Sequence, residues 1–209
     1  MTFKNHTLAL EASPILDIMD KDREYNISLF SHLRWPVVAY GILFGLYAAL
    51  LPGKWIWFSY HPLCMMVSFV SLAGYAALIK KVKGAENTRI HGYVMSAATL
   101  LAAFGYYVIY SNKEINHKTH LTTLHGKLGV LVLVNFLCFS IVGGVLLHPD
   151  WGLLKTNKTI RTFHKWGGRA FTATAWACSV LGFITMQKSL ALQIVFGLPL
   201  LIGGFYVLL

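Results

Sequence analysis

Four of the chain's nine histidines, His61, His91, His125 and His164, lie in or beside long apolar stretches. An ionisable side chain at membrane depth is costly, and where one is kept it marks a function by default. Imidazole offers two chemistries there. It passes protons near neutral pH, and as a neutral ring it ligates metal through one nitrogen while the other fixes the tautomer. The proton reading needs intramembrane acids as partners, and the apolar runs contain no Asp or Glu. The ligand reading depends on where the helices carry the four rings.

The elements that position them follow from composition. The chain has 209 residues, 56% hydrophobic and only 12% charged, where a soluble domain carries about 25% charged residues. Six runs contain no Asp, Glu, Lys or Arg: Trp35–Leu51, Trp55–Ile79, Ile90–Asn112, Leu128–Leu147, Ala170–Met186 and Ser189–Leu209. Each approaches or exceeds the ~17 to 25 residues that cross a ~30 Å hydrocarbon core. In lipid such a segment satisfies its backbone only as a helix. The fourth helix is predicted to begin near Thr119 and the fifth near Thr159. The prediction is therefore an all-α membrane protein with six transmembrane helices. Residues 1–33 are read as a polar, cytosolic tail and residues 34–209 as the transmembrane domain. The tail lacks the apolar region of a secretory signal. Leu209 ends the chain inside an apolar run, which points to a trimmed end.

The net charge of +10 would suggest nucleic acid on a soluble protein, but here topology explains it and no nucleic acid is expected. Lys4, Lys21, Arg23, Arg34, Lys80, Lys81, Lys83, Arg89, Lys155, Lys158, Arg161, Lys165 and Arg169 fall on one side if the helices alternate. Lys54, Lys113, Lys118, Lys127 and Lys188 fall on the other. The positive-inside rule then makes both termini cytosolic in a multi-pass protein of an endomembrane or the plasma membrane.

The same alternation sorts the histidines. His61 and His125 lie near the starts of helices two and four, on the non-cytosolic side. His91 and His164 lie near the starts of helices three and five, on the cytosolic side. At ~1.5 Å per residue in a ~30 Å core, the two levels are roughly 20 Å apart. That is too far for one metal cluster and suits two flat cofactors, each clamped between axial imidazoles. Gly92, Gly126, Gly129, Gly167 and Gly168 lie close to these histidines and permit close approach. Arg89, Lys127, Lys165 and Arg169 flank them and are candidates to meet haem propionates. Cys64, Cys138 and Cys178 lie inside the runs and form no C-x-x-C-H, so thioether attachment is excluded. The expected cofactors are two haem b per chain with His61, His91, His125 and His164 as iron ligands. With both axial positions taken, the job is electron relay. Membrane proteins that stack two haems between two helices place two histidines about fourteen residues apart on each, to reach both leaflets. Here Tyr75 and Gly105 occupy those positions relative to His61 and His91.

Four helices with one ligand each, on a six-helix chain, resemble the cytochrome b561 family. The resemblance covers residues 35–209. It rests on Phe58-Ser59-Tyr60-His61-Pro62 with Met65, on Arg89-Ile90-His91, and on Phe163-His164-Lys165-Trp166-Gly167-Gly168. Its most specific part is Asn112-Lys113-Glu114 followed by His120-Leu121-Thr122-Thr123-Leu124-His125-Gly126, with Gly129. These segments look like the subgroup called cytochrome b561 domain-containing protein two. The resemblance implies a homodimer whose central four-helix bundle, helices two to five, holds both haems. It implies a cytosolic reductant, usually ascorbate, and monodehydroascorbate or ferric iron as acceptor on the far side. The activity expected is that of a transmembrane ascorbate-dependent oxidoreductase. Where ascorbate-binding members carry a Lys before the helix-three ligand and a Tyr-Ser pair before the helix-four ligand, this chain has Glu86 and Thr122-Thr123.

Candidate substrate residues follow. Lys80, Lys81, Lys83, Lys155, Lys158 and Arg161 form a basic cluster expected to draw an anionic reductant, ascorbate or a similar molecule. His117 and His120, with Lys113, Lys118 and Lys127 around them, are expected at the electron exit, where monodehydroascorbate or an anionic ferric chelate would meet them. Two other functions compete. A histidine-dependent transporter requires the missing intramembrane acids. A membrane adaptor using basic loops for lipid leaves the paired histidines unexplained.

Overall fold

The computed structural model describes residues 14–208, and among them the backbone is helical with no strand. Six helices follow in order: α1 Pro14–Leu50, α2 Trp57–Lys81, α3 Ala85–Ile115, α4 Leu124–Leu146, α5 Lys158–Met186 and α6 Leu190–Leu208. Ile27–Leu50 of α1 and the whole of α2, α3 and α4 are long and apolar enough to cross a membrane by length and composition. The apolar part of α6, Leu190–Gly204, is shorter. Basic residues Lys158, Arg161, Lys165 and Arg169 open α5 before its uncharged half begins. The chain is an all-α membrane protein.

Two boundaries differ from the sequence reading. Helix α1 begins at Pro14, not near Trp35, so much of the stretch read as a tail is helical, while residues 1–13 lie outside the described residues. Polarity marked that stretch as a tail, but its Leu, Met, Lys, Arg and Glu are good helix formers, and Pro at the first helical position favours a start. Helix α4 begins at Leu124 rather than near Thr119. His117 and Leu121 take left-handed backbone angles, φ 50° and 53°, which a helix does not accommodate. Thr123 then caps α4, its hydroxyl accepting from the Gly126 N–H at 3.1 Å.

Short connections make successive helices antiparallel neighbours. Glycine sets the closest approach. A Cβ on Gly41 of α1 would collide with the Ser71 hydroxyl of α2, and one on Gly45 would sit 3.1 Å from Met66 Cβ. Small residues of this kind let membrane helices meet backbone to backbone. The middle of α2, Val67–Leu72, widens into a π-helix, a form that shifts carbonyls out of the regular ladder. Other helices engage this segment: Trp176 Nε1 of α5 donates to the Phe69 carbonyl at 2.8 Å, and Ser68 donates to the Ala98 carbonyl of α3 at 2.7 Å. Phe69 meets Phe136 of α4 at 5.1 Å, and Phe136 stacks on Phe171 of α5 at 5.6 Å. Helices α2 to α5 thus close around an aromatic centre. Helices α1 and α6 join on one flank, where Tyr47 stacks on Phe196 at 4.6 Å.

Candidate cofactor site

Three of the four histidines stitch neighbouring helices together through the same ring atom. His61 of α2 donates from Nδ1 to the Gly105 carbonyl of α3 at 2.9 Å. His91 of α3 donates to the Ala76 carbonyl of α2 at 2.9 Å. His125 of α4 donates to the Cys178 carbonyl of α5 at 3.0 Å. A carbonyl only accepts, so Nδ1 carries the proton in each ring. That leaves Nε2 with a lone pair, the state in which imidazole ligates metal, with its orientation fixed from behind.

The rings of His61 and His125 face one another with centres 6.3 Å apart and planes at 75°. A single metal bridging two imidazoles at nitrogen bonds of roughly 2 Å holds the ring centres roughly 6 Å apart. His164 of α5 lies within electrostatic reach of His91. Its Nδ1 is buried with no hydrogen-bond partner, and Phe139 lies against its ring at 5.6 Å. The bundle therefore sets the His61 ring opposite that of His125 and leaves His91 and His164 within electrostatic reach of one another.

Two glycines that sequence reasoning missed face these rings. A Cβ on Gly182 would lie 2.6 Å from His125 Cε1, and one on Gly143 would lie 3.0 Å from His164 Cε1. Small residues in an apolar run carry no mark of what they face. The glycines singled out from sequence meet other groups: Gly167 faces Phe139, Gly129 faces Cys178 and Gly92 faces His148. Gly182→Val is expected to destabilise the protein by about 1 to 3 kcal/mol, the usual cost of overpacking, because the His125 ring must leave its Cys178 bond. Unfolding of the detergent-solubilised protein measures this, and unchanged stability would contradict the contact.

The basic residues are more committed than the sequence suggested. Arg89 makes a two-pronged ion pair with Asp150, at 2.6 and 2.8 Å, so its guanidinium is held by a carboxylate of the α4–α5 connection. That hydrogen bond holds the exposed Asp150 carboxyl below the usual carboxylate range. The tie is therefore complete at neutral pH and is lost only as pH falls through that depressed value. Lys155 Nζ donates to the Asp150 carbonyl at 2.9 Å, and Arg161 donates to the Lys155 carbonyl at 2.9 Å. Lys80 hydrogen-bonds Thr88 and feels the repulsion of Arg161, as Lys81 feels that of Arg169. Lys81 also lies over the Phe30 ring at 4.7 Å, and Arg169 over Trp166 at 4.9 Å. Lys83 and Lys127 are exposed. Crowded cations at the ends of α2 and α5 make a surface that favours an anion.

At the opposite end, His120 Nε2 lies 2.6 Å from Glu114 Oε1 and its ring stacks on Tyr110 at 4.6 Å. Lys113 donates to the Thr119 carbonyl at 2.9 Å and lies within electrostatic reach of His125. His117 is exposed. Sequence reasoning missed His148. It is 4% exposed, stacks on Trp151 with ring centres 3.3 Å apart, and its Nε2 has no partner. A buried donor left unpaired costs on the order of 1 to 3 kcal/mol. The available signal was Asp150 two residues on, the one acid after Glu114 in the sequence.

Among the described residues no three His, Cys, Asp or Glu side chains converge as a metal site. Opposed imidazoles whose Nε2 atoms are free, with no C-x-x-C-H in the sequence, fit haem b held without thioether bonds. A helical bundle with imidazoles opposed in this way has the build of a membrane-embedded b-type cytochrome. The family model described as eukaryotic cytochrome b561 matches residues 60–202, which include all four histidines. The chain belongs to that family.

It is also similar to individual reductases. The transmembrane ascorbate-dependent reductase CYB561 of Sus scrofa is 28% identical over 175 residues, 75% of this chain and 68% of the relative. That of Bos taurus is 26% identical over 162 residues, 69% of this chain and 64% of the relative. The transmembrane reductase CYB561D2 of Mus musculus is 28% identical over 158 residues, 68% of each. The chain spans about two thirds of the length of these relatives.

Proposed function

We propose that the chain carries electrons across the membrane from a cytosolic anionic reductant, ascorbate, to monodehydroascorbate or a ferric chelate on the other side. The path runs through two haem b groups, one held by His91 and His164 on the cytosolic side and one by His61 and His125 on the other. Both termini are cytosolic, and two copies form the functional unit. The observation that carries this reading is the opposition of His61 and His125, 6.3 Å apart with Nδ1 of each committed to a backbone carbonyl.

Haem b, where bound, would supply one-electron chemistry, with His61 and His125, and His91 and His164, as the residues that would hold it. The chain's own residues do the rest. The carbonyls of Gly105, Ala76 and Cys178 hold His61, His91 and His125 in one tautomer. Lys80, Lys81, Lys83, Lys155 and Arg161 raise the local concentration of a reductant anion. The family membership and the reductases described above support the same direction of reasoning.

The test is stoichiometric. Full-length protein produced with ample haem is expected to give two haem b per chain by the pyridine haemochrome assay. One haem per chain, or none, overturns the two-site reading.

A further inference from the structure

A groove runs along the outer seam between α4 and α5. Asn135 and Phe139 of α4 line it with Gly167, Ala170 and Thr174 of α5, and it has a volume of about 320 Å³. Gly167, Ala170 and Thr174 recur at helical spacing, so α5 carries one stripe of small side chains there. The wall is aromatic. Phe139 stacks on Phe163 at 5.6 Å and on Phe171 at 6.4 Å. A Cβ on Gly167 would meet the Phe139 ring at 2.3 Å. The polar residues of the groove are turned to backbone: Asn135 donates to the Leu131 carbonyl and Thr174 to the Ala170 carbonyl, each at 2.8 Å.

At Phe163 the groove meets a second depression. That ring also lines a space of about 460 Å³ with Lys158, Thr159 and Thr162, and all three are exposed. Neighbouring charges are committed elsewhere. Lys155 and Arg161 donate to carbonyls, and Asp150, the one acid after Glu114 in the sequence, is engaged by Arg89. Lys158 thus presents an ammonium, beside two hydroxyls, at the polar end of an apolar slot. The slot has a telling length. Eleven residues separate Phe163 from Thr174, about 16 Å at ~1.5 Å per residue. That is close to half of a ~30 Å hydrocarbon core, the depth of one leaflet.

We propose that an anionic phospholipid occupies this seam. Its phosphate meets Lys158, Thr159 and Thr162, and one acyl chain lies along Phe139, Gly167 and Ala170 toward Thr174. Phosphate oxygens take charge-assisted hydrogen bonds from an ammonium, and a cation at the membrane surface favours anionic lipid over neutral. A second copy of the chain fits the seam less well. Two copies in one membrane, related by a two-fold axis along its normal, would set Lys158 against Lys158 if they met here. The site needs neither haem nor a particular orientation of the chain, so it stands apart from the electron-transfer reading. Phe139 also lies 5.6 Å from the His164 ring, so an acyl chain seated here buttresses a contact of the candidate cofactor site.

The experiment is native mass spectrometry of the full-length protein, stripped of lipid in detergent and titrated with phosphatidylglycerol or with phosphatidylcholine of the same acyl chains. One phosphatidylglycerol per chain is expected to bind at concentrations where phosphatidylcholine does not. Lys158→Gln is expected to weaken phosphatidylglycerol about fivefold, the share of one cation near an anionic surface, and to leave phosphatidylcholine unchanged. Ala170→Leu, which fills the slot, is expected to weaken both lipids. Equal binding of the two lipids by the unmodified protein overturns the assignment. So does a Lys158→Gln protein that binds phosphatidylglycerol as before. Displacement of phosphatidylglycerol by inorganic phosphate, but not by chloride at the same ionic strength, shows a site for a free anion and also overturns it. An Ala170→Leu protein that keeps both lipids but parts from dimer to monomer assigns the seam to a second copy, which overturns it too. Should Ala170→Leu fail to fold, Lys158→Gln, an exposed change in the first turn of α5, still decides.

Discussion

Alanine at His91 or at His164 is expected to lower haem content from two per chain to one, and the surviving haem should have the same visible spectrum in both variants. Alanine at His61 or at His125 should also leave one haem, with the other spectrum. The reason is geometric. Each ring is supplied by a different helix, and His61 of α2 faces His125 of α4. Removing one imidazole leaves its partner bound to its carbonyl, as His61 is to Gly105, with no second imidazole opposite it. Double variants make the pairing decisive. His61→Ala with His125→Ala should keep one haem, because both changes empty the same site. His61→Ala with His91→Ala should keep none. Pyridine haemochrome assays on purified protein read both outcomes. A within-pair double variant without haem, or a cross-pair variant that retains one, contradicts the pairing.

What the sequence could say about this bundle was mostly what repeats with the helical period or with the membrane. The charge-free runs located α2, α3 and α6 to within a few residues, because exclusion of charge over some 20 residues is a one-dimensional property. The alternation of helices puts His61 and His125 on one side, and those two rings face one another at 6.3 Å. Where the fold departs, the cause lies in local backbone chemistry or in contacts distant along the chain. Helix α1 reaches back to Pro14 because polarity does not break a helix. Helix α4 starts late because Leu121 is left-handed and Thr123 is a cap. Gly182 faces His125 across helices, His148 faces Gly92, and Arg89 meets Asp150 across 61 residues. Nothing in the spelling of either partner announces the other. The π-helical turns of α2 are equally silent in the sequence, since Val67–Leu72 reads as any apolar stretch.

His120→Gln is expected to slow reoxidation by external monodehydroascorbate at least tenfold in proteoliposomes with ascorbate on the cytosolic face, while haem content and internal reduction stay unchanged. Asn112-Lys113-Glu114 and His120 belong to one sequence motif, and the turn after α3 folds them together. The Glu114 carboxylate lies 2.6 Å from His120 Nε2, and Tyr110 supports the ring at 4.6 Å. Lys113 donates to the Thr119 carbonyl and holds the turn that carries His120. An imidazole oriented by a carboxylate is placed to act as a general acid. The monodehydroascorbate radical anion takes one electron and one proton to become the ascorbate monoanion, so delivery of both at one place removes a charged intermediate. General acid catalysis by a positioned side chain contributes on the order of 10² to 10⁴ in rate, which makes tenfold a conservative threshold. A ferric chelate takes the electron without the proton, and its reduction should change far less in the same variant. That contrast separates a proton role from simple loss of a docking contact, which would slow both acceptors. Equal slowing of both, no slowing of either, or loss of the haem held by His61 and His125 each removes His120 from the exit chemistry.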